Sequence, residues 1–116
     1  MVAKRYRFSG ATTDGDIIFG DLSHLHDRGY VSIIFYSDAA FTTPVTPTAG
    51  TVDFTVSESG TVYGTIPGGA ITAADVGVGG SYRRPNWFGS VRYIKATFAN
   101  IAGGDYFVCL VHRFGG

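Results

Sequence analysis

Thr51-Val52-Asp53-Phe54-Thr55-Val56-Ser57 alternates apolar and polar residues without interruption. Successive side chains of a strand point to opposite faces, so Val52, Phe54 and Val56 share a dry face. Thr51, Asp53, Thr55 and Ser57 share a wet one. Working outward from this half-buried strand, Glu58-Ser59-Gly60 is a turn and Thr61 to Ile66 pairs back as a hairpin. Upstream, Asp38 to Gly50 reads as a loop, because Pro44 and Pro47 cannot donate to a ladder. Tyr30 to Ser37 is β-branched and aromatic on both faces, as a central strand is. Ala3 to Ser9 and Asp16 to Leu22 are further strands, joined by a turn over Gly10 to Gly15. Downstream, Pro67 to Asn86 is Gly-rich and weakly patterned, and Thr72 is placed to cap a single helical turn over Ala73-Ala74-Asp75. Trp87 to Ala99 and Tyr106 to Phe114 are long strands apolar on both faces, separated by a turn over Asn100 to Asp105. They are expected to lie side by side in the middle of one sheet. About eight strands with regularly spaced turns predict an all-β chain, an antiparallel β-sandwich of jelly-roll-like type. Residues 1–116 form one domain.

Composition narrows the function. Of 116 residues, 45% are hydrophobic and 15% aromatic, and only 16% are charged. A typical domain is about 25% charged, and surface charge is what breaks up exposed apolar patches. Formal net charge is zero, which also favours association. The chain is therefore expected to cover part of its surface with other subunits. The plainer alternative is a monomer whose surface is rich in Tyr and Thr. Zero net charge speaks against binding nucleic acid through bulk electrostatics. No run of residues approaches a membrane span, and Met1 to Gly10 has no apolar core of a signal peptide, so synthesis in a cytoplasm is expected.

Few residues carry catalytic chemistry. His24-Leu25-His26-Asp27 is the one metal-like cluster, and His112 is the only other histidine. A catalytic zinc site needs three protein ligands and an open position, which His24, His26 and His112 would supply in a cupin-like enzyme. Their spacing does not demand it, and exposed loop histidines explain them as well. Thr13-Asp14-Gly15-Asp16 lacks the register of a calcium loop and reads as an Asp-Gly turn. Cys109, the single cysteine, sits in an apolar strand and reads as a buried structural residue. No nucleophile elbow or phosphate loop is present. The expectation is a protein that is not an enzyme and needs no metal or cofactor.

The chemically richest segment is Ser81-Tyr82-Arg83-Arg84-Pro85-Asn86-Trp87-Phe88. Arginine forks and flat aromatic rings carry interface hot spots, and they also stack on sugars or bases. Tyr82, Arg83, Arg84, Trp87 and Phe88 are therefore the expected partner contacts. The alternative is that Trp87 anchors the core.

Two segments also carry a resemblance. Pro47-Thr48-Ala49-Gly50-Thr51-Val52 is one. The other is the strand from Val91 that ends in Asn100-Ile101-Ala102-Gly103-Gly104 and leads into the aromatic final strand. Together they resemble small all-β structural modules of tailed bacteriophage virions, over roughly Tyr36 to the C-terminus. Such modules decorate heads or build head fibres, tail fibres and tails, and they form trimers or larger assemblies. The resemblance implies a virion structural protein whose partners are its own copies, as a trimer, and a larger protein such as a major capsid or tail protein. It carries no catalytic residues. The main rival is a carbohydrate- or receptor-binding module using the same Tyr82 to Phe88 loop.

Overall fold

The computed structural model describes residues 2–20, 28–83 and 92–115. Among them nine strands and one short 3-10 turn are formed: β1 (Val2–Ala11), β2 (Gly15–Gly20), β3 (Arg28–Tyr36), β4 (Pro44–Val45), β5 (Ala49–Ser57), β6 (Gly64–Thr72), the turn Ala73–Asp75, β7 (Ser81–Arg83), β8 (Tyr93–Ala102) and β9 (Tyr106–Gly115). One sheet runs β1-β9-β3, with β4 and β7 both pairing to β3; the other runs β2-β8-β5-β6. Every pairing is antiparallel. Setting aside the two-residue β4, the first strand pairs with the last, the second with the last but one, β3 with β7 and β5 with β6. A long hairpin rolled into two sheets has that order, so the all-β sandwich is a jelly roll.

The alternation around Phe54 has the expected phase. Val52, Phe54 and Val56 are buried, and Thr51, Asp53 and Thr55 face out. Ile94, Ala96 and Phe98 of β8 join them, and Val31, Ile33, Phe35, Phe107, Cys109 and Val111 meet them from the opposite sheet. Phe98 and Phe107 touch across the gap with ring centroids 4.6 Å apart. Burial pushes the Cys109 thiol well above its ordinary range, as fits an inert core residue.

That contact corrects the expectation for the last two strands. β8 and β9 do not pair; each is central in a different sheet. Asn100 and Gly103 both adopt positive φ, and the short connection over Gly103, Gly104 and Asp105 carries the chain across the sandwich instead of back along the same sheet. Smaller differences have similarly local causes. Pro44 does enter a strand, but only the edge strand β4, where its missing N–H costs nothing. β6 extends to Thr72 through an irregularity opposite Phe54, and Gly69 is needed there because a Cβ would lie 2.6 Å from the Phe54 carbonyl. The single helical turn is present as a 3-10 turn with Thr72 at its N-cap, although the Thr72 hydroxyl makes no capping bond.

Register sorts the connections by end. Ala11, Tyr106 and Tyr36 lie in one row, so the β1–β2, β3–β5, β6–β7 and β8–β9 connections share one end of the sandwich. β2 leaves, β3 enters, β7 leaves and β8 enters at the other end.

Candidate interaction surface

The outer face of the β1-β9-β3 sheet is built from β1, β9 and β3 residues of one phase. Inward positions such as Val31, Ile33, Phe107 and Val111 are fully buried, which fixes the others outward. Four rows result: Arg5, His112 and Tyr30; Arg7, Leu110 and Ser32; Ser9, Val108 and Ile34; Ala11, Tyr106 and Tyr36. These strands contribute no carboxylate to the described face. The cations among its described side chains are Arg5 and Arg7, both exposed. Tyr30, Ile34, Tyr36, Tyr106 and Leu110 are half-buried, and Val108 is only 8% exposed although it points away from the core. His112 stacks on Tyr30 with ring centroids 4.4 Å apart. Desolvation, with help from the nearby Arg5 charge, holds the imidazole below its ordinary pKa and so favours the neutral ring.

A loop folds an aromatic residue over this face. Phe41 has φ 56°, a conformation costly for a bulky side chain. Two features hold it. The Asp38 carboxylate accepts from the Thr42 amide (3.1 Å), the Thr43 amide (2.9 Å) and the Thr42 hydroxyl. The Phe41 ring packs edge-on against Tyr36 and Tyr106, with centroids 5.7 and 6.3 Å away, and the Arg7 guanidinium lies 5.4 Å above it. The hydrogen bond from the Thr42 side chain is the main cause that lowers the Asp38 pKa from 3.8. Because the folded value is depressed, this ordering is present above the unfolded pKa and is lost as pH falls through the folded one. Asp38→Ala is expected to abolish hydrogen-exchange protection of the Thr42 and Thr43 amides while leaving that of β3 and β9 intact. Unchanged protection at Thr42 and Thr43 would show that ring packing alone holds the loop.

The opposite outer face, on the β2-β8-β5-β6 sheet, is polar. Asp16 and Asp53 flank Thr97, and Lys95 lies one row away. Thr97 donates to Asp16 at 2.7 Å, and the Lys95 ammonium is 3.9 Å from the same carboxylate. Lys95 also stands 4.3 Å from the centre of the Tyr63 ring. Ile18, beside Asp16 on β2, is 55% exposed.

Both segments that carry the phage-module resemblance meet at one joint. The Thr48 amide donates to the Ala102 carbonyl at 2.8 Å, and Gly50 crosses tightly over Asn100 and Ile101. The β1–β2 turn ties in as well: Thr12 donates through its amide to Asp105 and through its hydroxyl to Gly104, and the Asn100 amide donates to Asp14 at 2.7 Å. Asp14 is thus a structural acceptor, in line with an Asp-Gly turn. A shallow cleft of about 410 Å³ opens beside this joint, lined by Thr12, Asp14, Asp105 and Tyr106 among others.

Of the expected contact residues, Tyr82 and Arg83 lie in β7, with backbones paired to Ser32 and Val31. Arg84, Trp87 and Phe88 lie outside the described residues, as do His24 and His26. Among the described residues no three His, Cys, Asp or Glu side chains gather at a common point. The half-exposed aromatic face was not singled out from the sequence, although its trace is there: β3 and β9 are apolar at outward as well as inward positions. Arg113 was also missed. It continues the inward phase of Cys109 and Val111 and is fully buried.

No curated protein matches the chain. A family model does match residues 10–113, nearly the whole jelly roll, and the chain therefore belongs to the family described as Domain of unknown function (DUF7265).

Proposed function

We propose that this chain is a structural subunit of a bacteriophage virion, without catalytic activity, that works by assembling with its own copies and with a larger capsid or tail protein. The observation that carries the assembly reading is the outer face of β1, β9 and β3. It joins half-buried aromatic and aliphatic side chains to two arginines and offers no carboxylate, the residue mixture enriched at interface cores. The virion setting rests on the sequence resemblance and on a fold shared with viral capsid domains; that fold also serves lectins and cupins, so it supports the setting by analogy. Light scattering behind size exclusion is expected to give a mass that is a multiple of 12.3 kDa. Leu110→Glu, at the centre of the face, is expected to weaken self-association by about thirtyfold, the effect of losing about 2 kcal/mol at a hot spot. A parent protein that stays monomeric at high concentration would overturn the self-assembly reading.

A glycan-binding module is the second reading. It is favoured by the cleft in which Asp14 and Asp105 lie beside Tyr106, itself in contact with Phe41. Carboxylates next to flat rings suit sugar hydroxyls and sugar faces. Binding on a glycan array that is lost in Tyr106→Ala would move the assignment to this reading.

A further inference from the structure

We infer that self-assembly, taken as proposed above, is head-to-tail: the arginine-bearing β1-β9-β3 face of one copy seats on the acidic β2-β8-β5 face of the next. Charge decides between this and a two-fold arrangement. The first face presents Arg5 and Arg7, neither ion-paired to a described residue, and its strands supply no acid to answer them. A two-fold interface places a patch against itself, so these arginines would find no carboxylate on the facing strands. Like charges brought together on desolvation cost several kcal/mol.

The second face has the complementary pattern. Asp16 and Asp53 stand on either side of Thr97, about 10 Å apart at two strand spacings. Among the described residues Lys95 pairs with Asp16, and Asp53 has no ion pair or side-chain hydrogen bond. Arg5 and Arg7 are about 7 Å apart on β1, a difference that their long side chains can span. Apolar matching follows the charges. Ile18 projects next to Asp16, and Leu110 lies in register with Arg7. One carboxylate–guanidinium pairing thus brings an exposed aliphatic side chain over the centre of the aromatic face.

Two different surfaces make this contact, so every copy has one of each to offer. The assembly closes into a ring or continues as a filament, and it does not stop at two.

This predicts a loss of assembly from changes on the second face alone, restored by mixing, which a two-fold interface through the first face cannot give. The first variant, Arg5→Glu with Arg7→Glu, spoils only the first face; the second, Asp16→Asn with Asp53→Asn, spoils only the other without making it attractive to glutamates. Each variant is expected to stay folded and to melt within a few degrees of the parent, the small loss coming from the exposed Arg7–Phe41 and Asp16–Lys95 contacts. Each is expected to associate at least tenfold more weakly than the parent. Mixed in equal amounts, they are expected to form a 1:1 dimer that grows no further, because each supplies the face that the other lacks. Size exclusion with light scattering reads this directly. If the Asp16/Asp53 variant assembles like the parent, or the mixture stays monomeric, the head-to-tail arrangement is wrong although self-assembly stands. If the parent itself is monomeric, both fall.

Discussion

Gly50→Ala is expected to lower the thermal midpoint by roughly 10–15 °C, one of the largest losses from adding a single methyl group to this fold. Two penalties combine. Gly50 has φ +103°, where a Cβ is strained whatever the space around it. A Cβ there would also stand 2.6 Å from the Asn100 carbonyl oxygen and from the Ile101 Cα. Both atoms are backbone, and the same stretch is tied to Thr48 through Ala102 and to Asp14 through Asn100. It cannot swing aside as a flexible side chain would. Left-handed strain of about 1–2 kcal/mol and overpacking of about 1–3 kcal/mol together come to about 3 kcal/mol. Gly64→Ala is the control, because Gly64 has no positive φ and nothing within 4 Å of its added Cβ. Calorimetry on the two variants tests the idea, which fails if both melt alike.

That joint bears on how the sequence is to be read. Pro47 to Val52 and Asn100 to Gly104, the two segments that carry the likeness, come together as a hydrogen-bonded corner. A likeness carried by a corner reports the fold more directly than the task. The fold was correspondingly legible. Strict alternation through Phe54 set the phase of β5, and the turn residues separated the strands. Which strands pair was less legible, because a Gly-Gly turn between two apolar strands looks the same in sequence whether it closes a hairpin or crosses the sandwich. Asn100 takes positive φ inside β8, opposite the register shift at Gly50, and asparagine is among the few residues that tolerate it, so the residue is suggestive without fixing the pairing. The aromatic outer face was half legible. Tyr30 to Ser37 and Tyr106 to Phe114 are apolar at every phase, and that pattern was read as burial on both faces. In the structure most of their outward residues, Val108 apart, are half-exposed, so the excess apolarity belongs to a face that another surface can cover.

Arg113→Ala is expected to destabilise the domain by about 3–5 kcal/mol, the usual cost of disrupting a buried charge with its neighbours. β9 alternates Phe107, Cys109, Val111 and Arg113 toward the core, and Arg113 is as inaccessible as the phenylalanine. A guanidinium does not deprotonate in a protein, so burial cannot be relieved by a pKa shift. It must be met by polar, charged or aromatic neighbours, and Arg113 is not without a contact of this kind. Its backbone neighbour across the β3–β9 ladder is Gly29, where a Cβ would come within 2.0 Å of the His112 carbonyl oxygen. The position beside Arg113 on β3 admits no side chain. Arg113 therefore lies between the sheets at the end where β2 leaves and β8 enters. Comparing Arg113→Ala with Arg113→Met separates its two roles. Methionine keeps most of the apolar stem and removes the charge. If packing dominates, the Met variant recovers most of the loss in chemical denaturation. If the charge organises its neighbours, Met and Ala unfold at similar denaturant concentrations. An Ala variant as stable as the parent would show that the buried guanidinium contributes nothing to holding the sandwich closed.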